Sequence, residues 1–100
     1  MDNFDTLTHL KVKSDAGIMT ITINRPKSLN ALNHDVLKEL NMVLDEFESA
    51  PAGFAVILTG AGTRAFVAGA DVSEMAEMKP EEAREFSLFG QGVFAKLERL

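Results

Sequence analysis

An α/β or mixed α+β fold is predicted for this 100-residue chain from three observations. Two short segments near the start alternate polar and apolar residues about a turn. Further on, Phe54-Ala55-Val56-Ile57-Leu58-Thr59 is a continuous apolar run, the pattern of a strand covered on both faces. Between and after these segments, apolar residues recur at helical spacing, so strand, helix and strand alternate.

The first strand is expected over Thr8-His9-Leu10-Lys11-Val12-Lys13. Ser14-Asp15-Ala16-Gly17 is turn chemistry, with Gly17 free to take positive φ. Ile18-Met19-Thr20-Ile21-Thr22-Ile23 alternates again and is rich in β-branched residues, so the two segments form a hairpin. Asn24-Arg25-Pro26 ends it, because Pro26 has no N–H for a ladder and biases Arg25 away from helix. A helix is expected from an Asn33 N-cap. Val36, Leu37, Leu40, Val43, Leu44 and Phe47 form its buried stripe, while Lys38, Glu39, Asn41, Asp45, Glu46 and Glu48 face away. Pro51 and Gly53 should stop it. Beyond Gly60-Ala61-Gly62 a short extended piece, Ala65-Phe66-Val67, leads into small residues. Asp71-Val72-Ser73-Glu74 has capping-box spacing and predicts a short helix from Asp71. Pro80, followed by Glu81 and Glu82, opens a last helix with a stripe of Ala83, Phe86, Phe89, Val93, Leu97 and Leu100. That helix is apolar on more than one side, counting Leu88 and Phe94, and meets no stop signal. Residues 1–100 therefore read as the N-terminal part of a single larger domain.

Composition narrows the function classes. An apolar content of 46% with 25% charged residues is that of a soluble globular protein rather than a disordered chain. A formal net charge of −5 speaks against nucleic acid or a membrane surface as partner. The chain has no cysteine, which excludes disulfides and thiolate metal ligands. Met1 to Val12 has neither a basic leader nor an apolar core, and no apolar run approaches the roughly 20 residues of a membrane span. A soluble cytoplasmic protein is the expectation.

The chemistry is sought in Ala65-Phe66-Val67-Ala68-Gly69-Ala70-Asp71. A helix start presents N–H groups without intrahelical partners, and small residues beside them leave the main chain open to a ligand. Such donors suit an oxyanion hole, where one is worth roughly 2.7–4 kcal/mol. Asp71 would cap and orient the helix rather than act as acid or base. Close packing alone explains small residues at such a junction equally well. Gly60-Ala61-Gly62-Thr63-Arg64-Ala65 also matches a dinucleotide-binding pattern, but no helix is expected at Ala61 or Gly62. His9 and His34 read as surface residues, and Glu46, Glu48, Glu81 and Glu82 as solvated helix faces. Met75, Met78, Phe86 and Phe89 suit either an acyl pocket or ordinary core. No spacing looks like a metal site, and no nucleophile has a recognisable base.

Taken together, Asn24-Arg25-Pro26, Asn30-Ala31-Leu32-Asn33, the strand ending in Thr59-Gly60, and Phe66-Val67-Ala68-Gly69-Ala70-Asp71 resemble the enoyl-CoA hydratase/isomerase (crotonase) superfamily in order and spacing. The resemblance covers nearly the whole chain. It implies the N-terminal portion of the ββα spiral fold, assembled as trimers or dimers of trimers. It also implies an enoyl-CoA hydratase, a lyase adding water to the 2,3 double bond of an acyl-CoA thioester through an enolate-like state. Ala70, after Gly69, would supply one backbone N–H of the oxyanion hole. Ala68 and Asp71 would border the thioester, and Lys27-Ser28-Leu29 would lie near the nucleotide end of CoA. Val72 and Met75 would shape the acyl pocket. Many relatives carry a basic residue where Ser73 stands. The second oxyanion glycine and the proton-moving glutamates would lie beyond Leu100, so this segment alone is expected to be inactive. CoA belongs to the substrate, and no separate cofactor or metal is expected. Isomerase or another family reaction, a non-catalytic acyl-CoA-binding or assembly module, and a dinucleotide binder are the alternatives.

Overall fold

The computed structural model describes Phe4, residues 6–49 and residues 55–99. Pro51 and Gly53, the expected helix stop, Phe54, the expected first residue of the third strand, and Leu100 lie outside the described residues.

Strands β1 (Leu10–Asp15) and β2 (Ile18–Ile23) form the expected hairpin, antiparallel with Leu10 opposite Ile23 and Asp15 opposite Ile18. The turn is only Ala16-Gly17, both at positive φ (51° and 82°), the arrangement of a two-residue turn matched to strand twist. The first strand therefore runs two residues further than expected. It also starts two residues later, because the N–H groups of Thr8, His9 and Leu10 all donate to the Glu39 carboxylate, at 3.1, 2.9 and 3.2 Å. Glu39, expected to face solvent, thus satisfies the main chain leading into β1.

Helix α1 (His34–Ser49) carries the chain over to β3 (Ala55–Gly60), which pairs parallel to β2, so the sheet order is β1-β2-β3. Asn33 caps α1 as predicted, its Oδ1 accepting from Val36 N–H at 2.8 Å. Val36, Leu40, Val43 and Leu44 of α1 meet Leu10, Met19, Ile21 and Ile23 of the sheet in one core, joined by Val93. Each such side chain contributes about 1.5–3 kcal/mol on full burial. Val93 belongs to α3 (Pro80–Arg99), which begins at the predicted proline. Lys96 of α3 donates to Asn41 Oδ1 at 2.7 Å and pairs with the Asp45 carboxylate, fastening α3 to α1.

The third strand departs from expectation. Its apolar run predicts cover on both faces, yet β3 is the sheet edge, and on its second face Ala55 and Ile57 are exposed. Val56 and Leu58 pack against the core, whereas Ile57 is 49% exposed on the face that also bears Ile18. Among the described residues nothing covers that second face.

Candidate functional site: two loops and an unused amide

The site is built by residues 24–33 and 61–71. Pro26 opens one turn of 3-10 helix, Pro26–Ser28, and the exit throws Leu29 and Asn30 into the left-handed region at φ 53° and 57°. For side-chain-bearing residues that conformation is unfavourable, and hydrogen bonds hold it. Leu29 N–H donates to Pro26 C=O at 3.1 Å and Asn30 N–H to Arg25 C=O at 2.8 Å. Asn30, 1% exposed, is the one buried polar residue among the described residues. Its Oδ1 accepts from Arg25 N–H at 2.9 Å, and its Nδ2 donates to Ala61 C=O and Ala65 C=O at 2.9 and 2.8 Å. One amide thus pins the second loop to the first. Gly60 makes room for it: a Cβ there would lie 2.2 Å from Phe66 O and 2.7 Å from Asn30 Nδ2. No helix opens at Ala61 or Gly62, so the dinucleotide pattern lacks the element that would bind a pyrophosphate.

From Leu29 onward the loops zip together. Ala68 N–H donates to Leu29 C=O at 3.0 Å, Leu32 N–H to Gly69 C=O at 2.7 Å, and Asp71 N–H to Leu32 C=O at 2.8 Å. Leu32 and Ala70 therefore form a parallel bridge. In that pattern the residue between the two bonded neighbours turns its own N–H to the opposite edge. Among the described residues no acceptor takes the Ala70 N–H, and Ala70 is exposed. Gly69 sits at φ 113° with nothing within 4 Å of where a Cβ would stand, so backbone rotation rather than crowding demands glycine.

Asp71 caps α2 (Val72–Met75), its Oδ1 accepting from Ser73 N–H at 3.0 Å and Glu74 N–H at 3.3 Å. Its Oδ2 meets Arg25 Nη2 at 3.1 Å. That hydrogen bond from Arg25, aided by the Glu74 and Ser73 N–H groups, holds the carboxyl below its ordinary value against the opposing effect of burial. Asp71 is a fixed anion, suited to capping. The capping box is only half formed: Glu74 reaches across instead and accepts from His34 N–H, the first residue of α1, at 2.8 Å. The α2 terminus is also not the open anion cradle expected, since Asp71 already occupies its Ser73 and Glu74 donors. Ala70, one residue upstream of Asp71, also offers an N–H that no acceptor takes among the described residues.

Ala70 lines an apolar cavity of about 340 Å³ together with Leu32, Leu37, Met75, Phe86, Gly90 and Phe94. Ser87 and Gln91 are the polar members of the lining, and no carboxylate, imidazole or amine belongs to it. Of the residues singled out in the sequence, Ala68, Gly69, Ala70 and Asp71 are contiguous along the bridge. Leu29 is bonded to Ala68, and Lys27 and Ser28 are exposed on the same turn. Met75 lines the cavity, but Val72 is 77% exposed and outside it. Phe86 lies between this cavity and an acidic hollow bordered by Met78 and Phe89, and Phe89 is tilted against His34 with ring centroids 5.4 Å apart. Residue patterns did not single out Arg25, Asn30 or Gly90 for this site; their roles arise from contacts distant in sequence.

The profile of the enoyl-CoA hydratase/isomerase family matches residues 13–100. The chain belongs to this family. It is 50% identical over 94 residues to short-chain-enoyl-CoA hydratase of Clostridium acetobutylicum, covering 94% of this chain and 36% of that protein. To crotonyl-CoA hydratase of Syntrophomonas wolfei it is 39% identical, covering 89% and 34%. The crystal structure of an enoyl-CoA hydratase from Bacillus anthracis superposes with a TM-score of 0.90 at 32% identity, over 93% of this chain and 36% of that one. The fold is therefore the N-terminal portion of the crotonase fold, as the resemblance implied. The chain spans about a third of the length of the family members it matches.

Proposed function

We propose that the protein to which this chain belongs is an enoyl-CoA hydratase, a lyase that adds water across the 2,3 double bond of an enoyl-CoA thioester. The carrying observation is the Ala70 N–H, without an acceptor, on a residue that lines an apolar cavity. A thioester C=O placed there accepts from Ala70. When water attacks C3, the C2=C3 electron pair moves onto the thioester oxygen, and an N–H already aimed at that oxygen stabilises the developing enolate without reorganisation. The adding water gives one proton to a base and keeps the other as the C3 hydroxyl, while the electron pair returns to C2 and takes a proton from an acid to form the C2–H bond.

The cavity supports a short acyl group, as do the names of the relatives from Clostridium and Syntrophomonas. Met75 would touch that group, Ala68, Gly69 and Asp71 would border the thioester, and the Lys27-Ser28-Leu29 turn, exposed at Lys27 and Ser28, would meet the nucleotide end of CoA. Val72 would contribute from the rim. The cavity lining carries no proton-transfer group, so in this reading the acid and base, and a second oxyanion donor, come from outside residues 1–100, and these residues alone are inactive. Hydration is neither oxidation nor reduction and CoA enters as substrate, so no separate cofactor or metal is called for. Among the described residues no helix is long and apolar enough to cross a membrane. A cytoplasmic homo-oligomer, a trimer or dimer of trimers, fits this reading, and the exposed Ile18 and Ile57 on the uncovered sheet face support a further covering layer.

The test is crotonyl-CoA with the full-length protein, following loss of the conjugated enoyl absorbance and formation of the 3-hydroxy product. Saturable hydration is expected. Double-bond migration in longer enoyl-CoAs without hydration would replace hydratase by isomerase, and stable binding by an oligomer without turnover would replace both by an acyl-CoA-binding module.

A further inference from the structure

We propose that Arg25 is a positioning residue for the oxyanion hole: its guanidinium ties Ala31 to Asp71 and thereby sets the direction of the Ala70 N–H. The proposal rests on the reading of Ala70 given above. Arg25 Nη1 donates to Ala31 C=O at 2.6 Å, and Nη2 meets Asp71 Oδ2 at 3.1 Å. Ala31 immediately precedes Leu32 and Asp71 immediately follows Ala70, so the fork spans both chain segments of the Leu32–Ala70 bridge. Three main-chain bonds already join the segments, Ala68 to Leu29, Leu32 to Gly69 and Asp71 to Leu32, and all run edge to edge. The fork adds a side-chain tie to Ala31 and Asp71, the residues flanking the bridged pair, and so restrains the rotation about Ala70 that edge-to-edge bonds leave.

The clamp is itself anchored. Arg25 N–H is held by Asn30 Oδ1, and Arg25 C=O accepts from Asn30 N–H and from Ser28 N–H at 2.8 and 2.9 Å. The two charged side chains are each only 17% exposed, so water screens the pair less than it would a surface ion pair. A guanidinium suits the task because two of its N–H groups diverge in a rigid plane, one for a carbonyl and one for a carboxylate. An ammonium has no such fork.

Two mild variants of the full-length protein test this. Arg25→Lys keeps the charge and loses the fork. Asp71→Asn keeps an Oδ1 to cap α2 but sets an amide N–H₂ against the guanidinium. Displacing an oxyanion donor without deleting it should lower kcat about 10- to 100-fold in each, with KM for crotonyl-CoA within about threefold because the CoA contacts stay in place. The double variant should lose little more than either single one, since both break the same contact. A spectroscopic signature separates positioning from stability. A bound conjugated enoyl-CoA absorbs at longer wavelength when its C=O is polarised, and that red shift should shrink in both variants. Glu39→Gln, which weakens the hold on the main chain leading into β1 and touches no lining residue, should lower Tm while leaving kcat and the red shift as in the wild type. Variants of Arg25 and Asp71 that lower Tm but keep wild-type kcat and red shift would overturn the clamp while leaving the proposed function intact. A wild type that neither hydrates nor red-shifts the thioester would overturn the proposed function itself, and the clamp with it.

Discussion

Replacing Asn30 asks whether one buried amide holds the two site loops together. Asn30→Ala deletes three hydrogen bonds: Nδ2 to Ala61 and Ala65, and Oδ1 from Arg25 N–H. At about 1 kcal/mol net each, their loss comes to about 3 kcal/mol. Asparagine and alanine both carry a Cβ at φ 57°, so the exchange adds no backbone crowding of its own. Asn30→Ala should therefore cost about 3 kcal/mol, a large part of a total stability of roughly 5–15 kcal/mol. Asn30→Gly loses the same bonds without the backbone strain and should cost about 1 kcal/mol less than alanine. The order is diagnostic, since in most ordered segments glycine is the more damaging substitution. Urea unfolding of the three proteins, compared at a common m-value, gives the differences directly. Alanine costing no more than glycine, or either variant costing under about 1 kcal/mol, would show that Asn30 is not the pin described here.

Three further outcomes follow from neighbouring residues. Gly69→Ala should cost about 1–3 kcal/mol through its φ of 113° alone, and Gly69→Ser about the same, because the space beside it is empty; a much larger loss for serine in urea unfolding would mean that crowding decides. The folded pKa of Asp71 lies below the ordinary 3.8, so its ionised form stabilises the fold above that value, and the contribution disappears as pH falls through the lower folded pKa. The wild type's stability advantage over Asp71→Asn should accordingly shrink on acidification below about pH 4, and an advantage constant down to pH 2 would contradict the pairing. Gly92, within α3 and with open space where a Cβ would stand, should gain about 0.5–1 kcal/mol on substitution by alanine, read as a rise in Tm, while Gly90→Ala, whose Cβ would meet Leu37 Cδ1 at 3.4 Å, should gain less.

Much of the scaffold was legible because it rests on local rules. The β-branched alternation of Ile18–Ile23 bounds β2 to the residue, the Asn33 cap opens α1, and Pro80 opens α3, each a matter of neighbours within one turn or one pleat. What escaped depends on partners far along the chain. Glu39 looks like any solvated helix residue until its carboxylate meets main chain 31 residues away. Glu74 has the spacing of a capping box, yet its carboxylate serves an amide 40 residues upstream, because Leu32 C=O already holds the Asp71 N–H that the box would use. The apolar run of β3 predicts cover on both faces; it states what the strand can bury, not which layer buries it.

The Ala70 N–H is left without an acceptor for a reason other than the one the sequence predicts. The sequence predicts a helix start, with dipole and orphan N–H groups. A helix of four residues has little dipole to offer, and its first donors are taken by Asp71. The free N–H comes from strand-like pairing, in which the two neighbours of Ala70 are consumed by Leu32 and the residue between them must face the other way. Each small or acidic residue of the stretch then has a separate cause. Gly69 supplies the rotation, Asp71 caps α2 and receives Arg25, and Ala70 lines the cavity with an N–H that no acceptor takes among the described residues. On this account the hole does not need α2 to be a helix at all, only Asp71 to stay fastened. Ser73→Pro, which removes one capping donor at α2 but leaves the Arg25–Asp71 contact, should therefore perturb hydration less than Arg25→Lys does; the reverse ranking in kcat would return the credit to the helix.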